Sequence, residues 1–271
     1  MKVAAIQMVS AVSVAPNLQQ AHALLSEAAR GGAELAVLPE YFCLLGQRDT
    51  DKLALQEPFG GGVIQQFLAD TARELGLWIV GGTLPLSTPE PAHVRNSSLV
   101  YAPSGGCVAR YDKIHLFRFD NGHERYDESR VLERGREPVA FELPSRDGHV
   151  WRIGLSVCYD LRFPELYRTY AAQGTDLLLV PSAFTHTTGQ AHWEVLLRAR
   201  AIENLAYVVA PAQGGLHENG RRTWGHSMLV DPWGVVTHEL AEGAGVVMGE
   251  LDAARLKAAR LQLPALEHRV L

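Results

Sequence analysis

The sequence has little cysteine: Cys43, Cys107 and Cys158 stand far apart in 271 residues. So sparse and odd a set fits a reducing cytoplasm better than a disulfide framework. It forms no CxxC pair and no Cys/His cluster that would call for zinc. Long hydrophobic runs are also missing. No stretch reaches the roughly 18 apolar residues that a membrane-crossing helix needs. The opening Met1-Lys-Val-Ala-Ala-Ile-Gln-Met8 reads as a strand, without the apolar run and small-residue cleavage site of a signal peptide. A cytoplasmic location, with no membrane partner, is the expectation. No dense Lys/Arg block occurs and the formal net charge is -5, so a nucleic-acid partner is not expected. Gly60-Gly61-Gly62 lacks the Lys-Ser/Thr that would make it a phosphate loop. No repeat at a solenoid period and no Pro/Gly/Ser-rich linker divides the chain. One domain over residues 1–271 is the simplest account, and its length suffices for a large core.

What is present is a regular alternation. Lys2 to Met8 reads as a strand and Asn17 to Arg30 as a helix, with Leu18, Ala21, Leu24, Leu25 and Ala28 at helical spacing and Gly31-Gly32 as its stop. Leu35 to Leu38 is a buried strand. A second helix is expected over Gly62 to Leu75 and a strand over Trp78 to Gly82. The pattern is βαβ, which implies parallel strands. Asn96 to Ala102 and Cys107 to Tyr111 flank a hairpin turn at Pro103-Ser-Gly-Gly106. Arg118 to Arg136 is polar and irregular, as functional segments often are. Val139 to Leu143 pairs with Val150 to Val157. Asp176 to Val180 and Ala206 to Ala210 are strands around a helix over Gln190 to Asn204. Trp224 to Val230 and Val235 to His238 form a hairpin, Gly245 to Leu251 is a last strand, and Asp252 caps a final helix. Two mixed sheets face to face, with helices outside, would bury this many apolar strands.

One junction organises the chemistry. Ile153 to Val157 reads as a buried strand, and Pro164 suits the first turn of a helix. Cys158 therefore lies on a sharp elbow that lifts a side chain out of the sheet beside free backbone N–H groups, of which that of Tyr159 is placed to hold an oxyanion. Such amides favour a thiolate. A buried structural cysteine is the bland alternative. Glu40 and Lys113 also stand where strands end, and ligands of α/β sheets bind beyond strand ends. Taken singly, each reads as an exposed loop residue. Taken together, a thiol, a carboxylate to remove its proton and an ammonium to stabilise an oxyanion form a complete acyl-transfer site. A histidine base, from His115, His186, His192 or His226 in loop or edge positions, is the rival arrangement.

Pro39-Glu40, Tyr111-Asp-Lys-Ile-His-Leu-Phe117 and Ser156-Val-Cys-Tyr-Asp-Leu-Arg-Phe-Pro-Glu-Leu166 together resemble the nitrilase superfamily of carbon–nitrogen hydrolases. The likeness extends to Pro181-Ser-Ala-Phe184, to the run His192–Glu203 and to Gly225–Gly234, so it covers nearly the whole chain. It implies an α/β fold, a four-layer αββα sandwich, pairing into a homodimer, and no metal or organic cofactor. It implies Glu40 as general base, Lys113 as oxyanion-stabilising lysine and Cys158 as nucleophile. Asp127-Glu128-Ser129 matches a second family glutamate, which makes Glu128 the candidate over Glu124 and Glu133 for placing substrate or water. Asp160, Arg162 and Glu165 read as braces of the elbow, with facing substrate as the alternative for Arg162. Within the superfamily, the cysteine run and the His192 run most resemble deaminated glutathione amidases, with the ω-amidases of α-ketoglutaramate nearly as close. Nitrile or N-carbamoyl substrates fit less well. An acidic substrate needs a cation, for which Arg118, Arg125, Arg221 and Arg222 are the candidates. A redox-sensing or binding protein remains the non-enzymatic alternative.

Overall fold

A computed structural model describes residues 1–270 of the chain. Its two main sheets are built on the same plan. In the first, strands Lys2–Gln7, Leu35–Val37 and Trp78–Val80 run parallel, connected by helices Val14–Arg30 and Val63–Leu75. In the second, Val150–Leu155, Leu177–Leu179 and Tyr207–Ala210 run parallel, connected by helices Pro164–Ala172 and His186–Asn204. Antiparallel strands complete both: Gly245–Glu250, Val94–Tyr101, Leu84–Ser87 and Cys107–Asp112 in the seven-stranded sheet, and Ala140–Pro144, Ser227–Val230 and Val236–Leu240 in the six-stranded one.

Strand alternation sorts the side chains into layers. Along the first strand Val3 and Ala5 join a core shared with Ile153, Leu155, Leu177 and Leu179 of the other sheet. Ala4 and Ile6 point the other way, against Ala21, Leu25, Ile64 and Leu68 of the helices. Trp193, Leu197 and Ala201 cover the second sheet from outside. The result is the helix–sheet–sheet–helix sandwich expected from the sequence.

Several boundaries differ from the sequence reading. The helix expected from Gln190 begins at His186, because Thr185 caps it by accepting the Thr188 N–H; His186 and His192 are therefore helical, not loop residues. Leu84–Ser87 is an additional strand whose Pro85 hides it in the sequence, proline being confined to positions that need no ladder donor. The polar segment after Lys113 contains a small hairpin, Arg118–Asp120 with Arg125–Asp127, turning at Asn121-Gly122. The hairpin strand expected from Trp224 begins at Ser227, and Trp224 belongs instead to Arg222–Trp224, which pairs with Gly214–Leu216. Two glycines allow loops to close over the strand ends. A Cβ on Gly82 would lie 2.0 Å from the Pro39 carbonyl oxygen, and one on Gly135 would lie 2.1 Å from that of Asp112.

Candidate active site

Glu40, Lys113 and Cys158 meet where the two sheets' strand ends converge. Glu40 and Lys113 are 1% exposed and Cys158 8%. Lys113 Nζ donates to Glu40 Oε1 at 2.9 Å and to both carboxylate oxygens of Glu128, at 2.9 and 2.8 Å. Burying an ammonium costs several kcal/mol. Here burial would push its pKa down, but the carboxylates of Glu128 and Glu40 more than offset this and hold it well above the usual lysine range. Lys113 therefore stays charged.

Both carboxylates are fixed by further donors. Asn96 Nδ2 donates to Glu40 Oε1 at 2.9 Å, and the Ala183 N–H donates to Oε2 at 3.0 Å. Ala183 and Cys158 line the same pocket, so the carboxylate is fixed beside the thiol's pocket. Glu128 accepts from the Tyr41 hydroxyl at 2.8 Å and from the Phe117 N–H at 2.7 Å. Its burial opposes ionisation, yet Lys113 and these donors bring its pKa below the ordinary carboxyl value. Glu124 and Glu133 are elsewhere: Glu124 accepts from Thr187 Oγ1 and Tyr126, and Glu133 pairs with Arg95.

Cys158 has φ +50°, in the left-handed region that disfavours a side chain. The turn is held open by two bonds, Cys158 N–H to Pro181 O at 3.0 Å and Asp160 N–H to Val157 O at 3.0 Å. Asp160 is fully buried and accepts from the Val157 N–H, the Tyr111 hydroxyl, the His115 N–H and His115 Nδ1, at 2.7–2.9 Å. One carboxylate thus joins the cysteine elbow to both sides of Lys113. Its expected bracing role fits this geometry. Arg162 and Glu165 do not brace. The Glu165 side chain is exposed. Arg162 turns into a pocket of about 220 Å³ with Phe117, Cys158, Tyr159, Phe184 and Thr188, its guanidinium 5.5 Å from the Phe184 ring centre and 5.7 Å from that of Tyr159.

The expectation that turn amides favour the thiolate also changes. Burial first, then the Glu40 carboxylate, hold the Cys158 thiol well above its usual pKa, against the opposing pull of Lys113. The resting sulfur carries its proton, so a base is required. No rival histidine is placed for that work. His115 stacks on Phe163 and binds Asp160, and His226 binds Glu239. His186 packs edge-on to Trp224, and His192 lies exposed beside Arg162. The four arginines expected at the pocket are not equivalent. Arg118 is exposed, Arg125 reaches toward Asp120 and Arg222 pairs with Glu242. Arg221 alone approaches the site, over the Tyr126 ring. Arg162, whose sequence position four residues after the cysteine and before a helix favours bracing over facing substrate, takes the second of these two places.

Among the described residues no group of His, Cys, Asp and Glu is arranged to hold a metal ion, and no helix is long and apolar enough to cross a membrane.

A sandwich of two mixed sheets with a buried thiol, carboxylate and ammonium at its strand ends brings together the groups that acyl transfer needs. The chain belongs to the carbon–nitrogen hydrolase family, whose model matches residues 2–261. It is a hydrolase of carbon–nitrogen bonds other than peptide bonds. It is 42% identical over 270 residues to a deaminated glutathione amidase of Synechocystis sp., covering 98% of this chain and 97% of that one. Its fold matches the NitFhit protein of C. elegans with a TM-score of 0.90 at 37% identity, over 99% of this chain and 64% of that one. An amidase from Nesterenkonia sp. AN1, in which acrylamide has added to the active site cysteine, superposes with a TM-score of 0.78 at 27% identity over 97% and 98% of the two chains.

Proposed function

We propose that this chain is an amidase that hydrolyses the terminal carboxamide of a small acidic substrate, of the deaminated glutathione type, to carboxylate and ammonia. The observation that carries the reading is Glu40 held between Lys113 Nζ at Oε1 and the Ala183 N–H at Oε2, with Ala183 and Cys158 in the wall of the same pocket. Glu40 takes the thiol proton as sulfur attacks the amide carbon. Lys113 and the Tyr159 N–H hold the oxyanion. Glu40 then passes the proton to departing ammonia and leaves a thioester on Cys158. A water deprotonated by Glu40 cleaves the thioester, with Glu128 placing substrate or water. Arg162 supports an acidic substrate, because a guanidinium in a pocket with the nucleophile can pair with a carboxylate.

The catalytic unit is taken as one domain spanning the chain, acting in the cytoplasm as a homodimer and needing no cofactor. Exposed Val195 and Ile202 on the outer helix, beside Trp233, support a self-association surface.

The test is ammonia release from deaminated glutathione, α-ketoglutaramate, succinamate, a nitrile and an N-carbamoyl amino acid, with Cys158→Ala run in parallel. Deaminated glutathione should dominate, and the variant should release none while melting as the intact protein does. Preference for α-ketoglutaramate would move the assignment to ω-amidase. Turnover surviving in Cys158→Ala would end the mechanism.

A further inference from the structure

Beyond the residues that surround the thiol lies a second buried lysine. Lys52 sits in a single helical turn, Asp51–Ala54, within Asp49-Thr-Asp-Lys52, a run that reads in sequence as solvated surface. It is nevertheless 8% exposed. Its ammonium lies 4.5 Å from the centre of the Tyr41 ring, in a small cavity between Leu44, Pro85 and Leu132. The nearest carboxylate is that of Asp49, at 3.7 Å and more than half exposed. One ring face and one loosely held, solvent-screened partner compensate a buried charge poorly. A methionine would fill the same space at less cost. The position of the ammonium explains why a charge is kept there. The Tyr41 ring it covers ends in the hydroxyl that donates to Glu128 Oε1 at 2.8 Å. Tyr41 follows Glu40 directly, has φ +58°, and is pinned by its N–H to Thr83 Oγ1 at 2.9 Å.

We propose that Lys52 is a positioning residue of the site: through the Tyr41 ring it orients the phenol against Glu128 and keeps that carboxylate charged beside Lys113. The proposal rests on Glu128 being a working carboxylate of the site, as read above. Every charged or titratable group facing that carboxylate bears on the test. Lys113 and the Tyr41 hydroxyl bind it, the Phe117 N–H donates to it, and Lys52 lies behind the ring. Glu40 and the Cys158 thiol act on Lys113, and Glu40 and Arg221 act on Tyr41 and Lys52. Burial, then Glu128 and Glu40, hold the Tyr41 phenol well above its usual pKa, so it remains a donor. Burial lowers the Lys52 ammonium below its usual value, with the acidic neighbours opposing.

The sign follows from charge. Removing a cation makes Glu128 easier to protonate, so the variant fails at a higher pH than the parent. In Lys52→Met the acid limb of kcat/KM should move up by about one pH unit, and Lys52→Arg should restore it. A lysine that only fills space would change the melting temperature and leave the limb in place; an unmoved limb in Lys52→Met overturns the proposal. A second measurement does not depend on the substrate. The Glu128 carboxyl carbon, labelled with 13C and assigned by its loss in Glu128→Gln, should titrate at higher pH in Lys52→Met than in the parent, and identical titrations would also overturn it. Failure of the whole amide panel with a shifted carbon titration would sink the substrate reading and leave Lys52 its role.

Discussion

Glu40, Lys113 and Cys158 stand at the ends of strands of the two main sheets, whereas Phe117, Tyr126, Arg162 and Arg221 come from turns and short hairpins outside them. The first group is nearly sealed from water and tied by charge-assisted bonds of 2.8–3.0 Å. The second stacks, at ring distances of 5–6 Å, around an opening. The contrast separates two jobs. Chemistry at the thiol needs fixed charges in a dry place, which sheet strands braced by a buried Asp160 provide. Choice among amides needs a surface that can change without disturbing the sheets, which the turns provide.

Breaking the floor should produce the largest effect. Lys113→Met leaves Glu40 and Glu128 facing each other without their shared cation. Removing one partner of a buried ion pair costs about 3–5 kcal/mol of stability, and losing one oxyanion donor lowers kcat roughly 10²–10³-fold. Calorimetry and single-turnover ammonia release on the folded fraction should therefore both fall. A variant that melts normally and turns over within tenfold of the parent would remove Lys113 from the floor.

Breaking the wall should act differently. Arg162→Met leaves the buried network untouched. For an acidic amide, KM should rise by about 10–100-fold, the value of a hydrogen bond to a charged group, with kcat little changed and a neutral amide unaffected. Steady-state kinetics on the pair of substrates reads this directly. Equal losses on both would place Arg162 with the floor.

The same division decided what was legible in the sequence. Strand ends are marked by the run of β-branched and apolar residues before them, so Leu35 to Leu38, Cys107 to Tyr111 and Ile153 to Val157 led to Glu40, Lys113 and Cys158. The helix–strand alternation likewise gave the layered fold. Turn residues carry no such marker. Arg162 follows the cysteine too closely to be told from a brace, and the four donors that make Asp160 the brace include Tyr111 and His115 from a distant segment. Lys52 was illegible because nothing in Asp49-Thr-Asp-Lys52 signals that Tyr41 and Leu132 will close over it. What opposes the thiolate was not legible, because an elbow's amides are visible locally, while burial and Glu40 arrive from distant segments.

The smallest expected effect tests the border between floor and wall. Glu124 and Glu128 are one helical turn's spacing apart in a polar segment, yet only Glu128 touches Lys113. Glu124 ties the small hairpin to Thr187 at the start of the outer helix, at 2.9 Å, an exposed contact. An exposed hydrogen bond contributes little, so Glu124→Gln should keep kcat and KM within about twofold. Glu128→Gln keeps the shape but removes the charge beside Lys113, so it should cut kcat far more. Side-by-side kinetics of the two variants decide the matter. If Glu124→Gln is the more damaging, the hairpin is part of the catalytic floor, and the carboxylate that places substrate or water is Glu124.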